Sequence, residues 1–373
     1  MDATRTYSRA RTPLWALGVG ALLHLTGLTR PRHARRGSVE PQRQNTWRVS
    51  HSGPERGLEA GSEDRGRGAN NPTEIPAKGW KDILLRIYAG IGEDRIIAIA
   101  AGVTFFTLLA LFPGIAGLIA LYGLYADAHS IGGHLDAITG ILPEGGIQII
   151  RDQIERLTSQ PAQRLGLATI LGLGLSLWSA NGGMKAMFDA LNVVYHETEK
   201  RGFFRLNAVS LTFTLGAMVF VLLALATMTV LPRILNYLGL SEVTELVVRI
   251  GRWPVLFLVV SFAIALIYRF GPSRDKPQWR WLTPGCIFAA AGWLGASLLF
   301  SWYTENFGRY NETYGSLGAA IGFMTWLWLS TIVILVGAKL NAEAEHQTAR
   351  DSTEGAPLPL GQRGAHMADT VGR

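Results

Sequence analysis

The stretch LNAVSLTFTLGAMVFVLLALATMTVL, residues 206–231, runs for 26 residues without a charged side chain, and GSLGAAIGFMTWLWLSTIVILVGA, residues 315–338, does the same for 24. A hydrocarbon core of about 30 Å is crossed by roughly 20 apolar residues in helical conformation, so both stretches are long enough to span a bilayer. Four more apolar runs, at 96–122, 165–183, 253–268 and 281–303, bring the expected spans to six, with the last beginning at about residue 314. In lipid only helices and closed barrels satisfy their own backbone, and the alternating ten-residue strands of a barrel are missing. The expected fold is all-α: a polytopic membrane protein with six transmembrane helices in one domain, residues 80–344.

The composition fits this class. The chain is 48% hydrophobic and 17% charged, and its net charge of +7 resembles a nucleic-acid signal only until it is located. Residues 1–95 hold 16 Lys/Arg against 10 Asp/Glu, which accounts for +6 of it. A lone cysteine, Cys286, excludes an intramolecular disulfide and a cysteine-type zinc site.

Residues 1–79 form a basic extension whose segment 30–71 is too poor in bulky apolar residues to offset its ordering entropy, and it is expected to be disordered. Within it, Pro13 to Leu28 is a short apolar segment preceded by Arg5, Arg9 and Arg11. Three readings stay open for this segment: an upstream extension or interfacial helix, an extra span, or a targeting signal. The polar stretch 345–373 is expected to be a mobile cytoplasmic tail. Loops 195–206 and 269–281 carry seven Lys/Arg in 25 residues, whereas loops 123–164, 233–252 and 304–313 carry seven in 72. Basic loops stay in the cytoplasm, which places the first pair, and both termini of the six-helix unit, inside.

Trp253, Trp279, Trp281, Trp302, Tyr303 and Tyr122 fall at span ends, where interfacial aromatic belts are expected. Small residues four apart, Ala98/Gly102, Gly285/Ala289, Gly292/Ala296 and Gly318/Gly322, would allow close helix contact. In the loop 123–164, Ile131, Leu135, Ile138 and Leu142 recur at helical spacing. After Pro143 and Gly145-Gly146 the pattern resumes with Ile147, Ile150, Ile154 and Leu157. Two short amphipathic helices are expected, packed on the spans, lying on the membrane surface or covering the bundle as a lid.

The most unusual polar row is Asn181, Lys185, Asp189, Asn192 and His196, which shares one helix face. A charged pair near a bilayer marks a substrate path unless its members neutralise each other, as Lys185 and Asp189 could at i,i+4. The other reading makes the row the wet face of a helix that has left the hydrocarbon at Gly182-Gly183. A second cluster around Arg309, Tyr310 and Tyr314 could grip an anionic head group or belong to the interfacial belt. Asn181, Lys185, Asp189, Asn192, Arg309, Tyr310 and Tyr314 are therefore the candidate substrate-binding residues. Asp127, His129, His134 and Asp136 are metal-ligand types at no standard spacing, so neither a metal nor a cofactor is expected. Phosphate-loop, HExxH and GxSxG patterns are missing, no hydrolytic constellation falls in the spans, and no specific nucleic-acid module is found.

Several motifs in order resemble the bacterial inner-membrane virulence factor BrkB or YihY family. They are AAGVTFFTLLALFP at 100–113, LWSAN at 177–181, ALNVVY at 190–195, YRFGP at 268–272, TPG at 283–285, TYGSLG at 313–318 and LVGAKLN at 335–341. The resemblance covers about Trp80 to Ala344 and implies a six-helix inner-membrane protein. Members have carried the label ribonuclease BN, for which this sequence offers no nuclease centre. The upstream 79 residues depart from the family's compact start, which puts Met1 in question as the start. The expected function is transport or handling of an amphipathic or anionic cell-envelope molecule, with membrane lipids as partners. The alternative is a non-transporting scaffold for envelope proteins working through the 131–157 hairpin, and ribonuclease activity is the least favoured.

Overall fold

A computed structural model of the chain describes residues 65–122, 144–158, 167–237, 241–307 and 316–372. The helices in order are α1 Ala77–Glu93, α2 Ile96–Tyr122, α3 Glu144–Thr158, α4 Leu167–Val194, α5 Phe203–Tyr237, α6 Ser241–Phe270, α7 Trp279–Phe307, α8 Ser316–Gln347 and the short α9 His366–Asp369. No strand forms among the described residues, and the fold is the all-α membrane type expected. The apolar segment 13–28, the loop half with Ile131 to Leu142, and the residues Asp127, His129, His134, Asp136, Arg309, Tyr310 and Tyr314 lie outside the described residues.

Among the described residues five helices are long and apolar enough to cross a membrane, through Ile96–Tyr122, Phe203–Ala224, Trp253–Phe270, Trp279–Thr304 and Gly318–Gln347. The second expected span is present as α4 but is not one of the five. Its described part is diluted by Gly172, Gly174, Ser176, Ser179, Asn181, Gly182, Gly183 and Lys185. Shielding replaces apolarity there: α4 packs along α2 and against α5, so much of its polar surface meets protein.

The small-residue expectation holds at one seam and fails elsewhere. A Cβ on Gly285 of α7 would collide with the Gly337 carbonyl of α8, and one on Gly337 would lie 2.7 Å from Ala289 Cβ and from Tyr268 Oη. Gly102 and Gly322 face open space. Pro284 kinks nothing loose, because the Gly285 N–H beside it donates to Asn341 Oδ1 at 2.7 Å.

The second amphipathic helix of the loop is α3, and it packs on the spans. Ile147 and Ile154 join Ile115 and Ile119 of α2 in a buried cluster, and Gly145 and Gly146 bring the helix start against Ala319 and Phe323 of α8. Trp279, Trp302 and Tyr303 are exposed as belt residues should be, but Trp281 is fully buried. It is covered by α1, an amphipathic helix that the sequence reading left unassigned, through Ile83 and Ile87.

Two boundaries need correction. Residues 65–76 are not part of a loose extension, since Gln347 Nε2 donates to the Arg65 carbonyl at 2.7 Å and Thr348 Oγ1 to the Ala69 carbonyl at 2.7 Å. The expected mobile tail is folded back as well. Buried Arg363 donates to the carbonyls of Ala349, Arg350, Leu358 and Ala368, and Met367 enters the same buried cluster as Tyr195 and Ala342. The physical reason is shared: polar backbone that composition alone marks as loop is satisfied by side chains, of Gln347 and Thr348 in the first case and of Arg363 within the tail in the second.

Candidate functional site

The polar row of α4 divides into two sites. At the first, Lys185 Nζ donates to Asn207 Oδ1 of α5 at 3.0 Å and lies 5.1 Å from the centre of the Trp178 ring. One turn deeper, fully buried Asn181 accepts from Thr214 Oγ1 at 3.4 Å through Oδ1, while its Nδ2 has no hydrogen-bond partner. Asn207, Ser210 and Thr214 recur at i, i+3 and i+7, which aligns them along α5, and all three are buried. Together they make a polar seam between α4 and α5. Leaving an amide donor unpaired in such a place costs about 1–3 kcal/mol, so the seam is chemically incomplete as it stands.

Asp189 does not join it. The expected ion pair with Lys185 is replaced by the Lys185–Asn207 bond, and Asp189 is exposed. Asn192, three residues on, is a brace: its Oδ1 accepts from the Ser273 N–H at 2.7 Å and its Nδ2 donates to Glu199 Oε2 at 3.1 Å. Arg201 closes the brace, donating to Glu199 and to the carbonyls of Phe270 and Gly271. The Glu199 carboxyl, which burial would push up, is held at about 2 by the Arg201 and Asn192 hydrogen bonds.

The second site lies at the end of the bundle that carries the basic loops, and it was missed in the sequence. Two left-handed residues build it. Arg95, at φ 51°, turns the chain sharply between α1 and α2, and His196, at φ 55°, ends α4 in a Schellman motif closed by Glu197 N–H to the Asn192 carbonyl. The turns bring His196 Nε2 to 3.0 Å from Asp94 Oδ1. Lys339 of α8, with 2% of its side chain exposed, places Nζ 2.8 Å from Asp94 Oδ2 and 3.3 Å from Glu343 Oε1. Arg86 of α1 holds the other Glu343 oxygen at 2.6 Å. Burial opposes the charge on Asp94, yet the His196 and Lys339 hydrogen bonds hold its carboxyl below the usual range. A neighbouring pair, Arg274 and Glu345, is completely buried, with the guanidinium 4.5 Å over the Tyr195 ring. The signal that could have found this end is AKLNAEAEHQ at 338–347, three charged residues and a histidine continuing an apolar helix without a turn residue. Among the described residues no group of three His, Cys, Asp or Glu side chains is placed to hold a metal ion.

Comparison with known proteins follows the same residues. "Putative ribonuclease-like protein YfkH" of Bacillus subtilis (strain 168) is 32% identical over 268 residues, 70% of this chain and 93% of that protein. "UPF0761 membrane protein NTHI0384" of Haemophilus influenzae (strain 86-028NP) is 22% identical over 269 residues, covering 70% and 94%. "UPF0761 membrane protein Mpe_A1422" of Methylibium petroleiphilum is 23% identical over 273 residues, with this chain covering 62% of its length. No solved structure matches. A family model described as Virulence factor BrkB matches residues 87–359, which takes in the α4–α5 seam, both left-handed turns, the Lys339 cluster apart from Arg86 and the first part of the folded-back tail, and the chain belongs to that family.

Proposed function

We propose that this bacterial membrane protein resides in the inner membrane, with the basic end of the bundle in the cytoplasm, and handles or moves an amphipathic or anionic envelope molecule along the α4–α5 seam. The observation that carries the reading is Asn181: a fully buried amide whose Nδ2 lacks a partner, one turn from a lysine, between helices that otherwise face lipid. Polar groups at such depth are costly and accompany substrate or ion paths. Lys185 would supply charge to an anionic group, Asn207 would orient it, and Asn181 would donate to a second acceptor deeper in the seam. The part played is binding and passage rather than chemistry, and we read the protein as non-enzymatic with no resident cofactor. Arg309, Tyr310 and Tyr314 are proposed as further contacts for the same molecule.

The test is mass spectrometry of lipids and small molecules that copurify in native nanodiscs, comparing the native protein with Lys185→Ala and Asn181→Leu. The reading expects a species enriched with the native protein and lost from both variants while they remain monodisperse and helical. An identical lipid profile in all three would sink it and favour the scaffold, which needs no seam.

A further inference from the structure

Between α6 and α7, at the basic end, a groove of about 210 Å³ opens toward the face where lipid would lie. Ser261, Phe262 and Ala265 form one wall, and Leu282, Cys286 and Ile287 the other. Phe262 is 61% exposed and Ile287 49%, so the groove is a lipid-facing cleft rather than an internal void. Trp279 closes its end at the first residue of α7. From Trp279 to Ile287 a helix rises about 12 Å, which takes the cleft from the membrane interface into the hydrocarbon of one leaflet.

Its mouth is cationic. The Arg269 guanidinium, buried 4.4 Å over the Trp279 ring, is taken up by Glu354 and the Pro277 carbonyl, so the positive charge of the rim comes from its neighbours. Lys276 is exposed, forms no ion pair, and reaches the Phe270 ring at 5.2 Å. Arg280, exposed beside Trp279, donates only to the neutral Asn71 side chain. Arg269 and Arg274 are paired with Glu354 and Glu345, and Glu74 lies close enough to Arg280 to interact with it, which leaves Lys276 and Arg280 as the two exposed rim cations without an ion pair. An apolar slot of single-leaflet depth beneath a positive rim complements a molecule with a hydrocarbon chain and an anionic head.

We propose that this groove is a binding site for an anionic phospholipid of the leaflet beside the basic loops, its acyl chain in the α6–α7 cleft and its phosphate between Lys276 and Arg280. The site is separate from the α4–α5 seam and does not depend on the function assigned to it.

The experiment uses the full chain in phosphatidylcholine nanodiscs doped with phosphatidylglycerol that carries a diazirine in its acyl chain, with crosslinks mapped by peptide mass spectrometry. Crosslinks are expected to concentrate in 279–287 and 258–265 over the equally lipid-facing 215–223, and to be competed by unlabelled phosphatidylglycerol but not by phosphatidylcholine. Thr283→Trp, which fills the groove from an exposed position, should remove most of them. Lys276→Gln and Arg280→Gln should each lower the preference for phosphatidylglycerol roughly fivefold, the equivalent of about 1 kcal/mol per basic residue. Should Thr283→Trp not fold, the two rim variants decide alone. Even labelling of 215–223 and 279–287, or equal competition by both lipids in the native protein, would overturn the proposal.

Discussion

The Lys339 ammonium lies 2.8 Å from Asp94 Oδ2 and 3.3 Å from Glu343 Oε1, so one buried cation joins the α1–α2 turn to the end of α8. Gly90 makes the approach possible, since a Cβ there would come within 2.5 Å of Lys339 Cε. His196 adds a third element at 3.5 Å from Nζ. Removing the lysine leaves the half-buried Asp94 carboxylate with only the His196 ring beside it, which is costlier than the intact network is stabilising.

Lys339→Met should therefore lower stability by about 3 kcal/mol. Adding Asp94→Asn in the same chain should recover much of the loss, because Glu343 keeps Arg86 as its partner and no uncompensated carboxylate remains. Denaturation followed by the burial of Trp281, which packs under α1, reports this end of the bundle. A double variant no more stable than Lys339→Met would show that the network works through shape and not charge.

The glycines give a sharper contrast. At Gly337 a methyl group would meet Ala289 Cβ, the Gly285 carbonyl and Tyr268 Oη, each at 2.7 Å, and two of these belong to backbone or to a side chain with no room to move. Gly337→Ala should cost about 1–3 kcal/mol by overpacking. Gly102→Ala and Gly322→Ala, which face open space, should change stability by less than about 0.5 kcal/mol. Thermal unfolding in one detergent compares all three, and equal losses would mean that the α7–α8 seam is softer than its distances imply.

These cases show what could be read from the chain. Uncharged runs such as 206–231 announce a span because lipid imposes one simple requirement on every residue, and the Ile147–Ile154 spacing announced α3 for the same local reason. Gly285 and Gly102 look alike in sequence, and only the partner helix distinguishes them. The Lys185–Asp189 spacing favoured a local pair, whereas Asn207, 22 residues away, took the lysine. Asp94, His196 and Lys339 are scattered over 246 positions, and two left-handed residues bring them together, so no window of sequence contains the site. The tail read as loop by composition, because the carbonyls that hold Arg363 are backbone groups present at every position.

Acid should loosen the brace at Asn192. In the unfolded chain the Glu199 carboxyl titrates near its ordinary 4.5, and in the fold it is held at about 2 against the effect of burial by Arg201 and Asn192. A depressed carboxylate contributes its stabilisation above the unfolded value and loses it as pH falls through the folded one. Stability should decline between about pH 4.5 and about pH 2, with the loop 195–202 and the Gly271–Ser273 turn exchanging amide hydrogens first. Glu199→Gln should flatten that part of the profile and be less stable than the native protein at neutral pH. An unchanged acid profile in the variant would assign the dependence to other carboxylates.

Arg363 is the group on which the folded-back tail depends. It donates to the carbonyls of Ala349, Arg350, Leu358 and Ala368, and its side chain is 4% exposed. Arg363→Ala leaves four acceptors without a partner and opens a hole beneath α9, while the membrane helices keep every contact of their own. Local opening of 349–372 should become easier by about 3 kcal/mol, or on the order of 100-fold in population. Proteolysis tracks that population when closing outpaces cleavage, so trypsin should cut after Arg350 about 100 times faster while the helix content of the membrane domain stays constant. Arg363→Lys, with one ammonium in place of a planar fork, should fall between the two. Cleavage at the native rate in the alanine variant would mean that Met367 in the core, rather than the guanidinium, holds the tail in place.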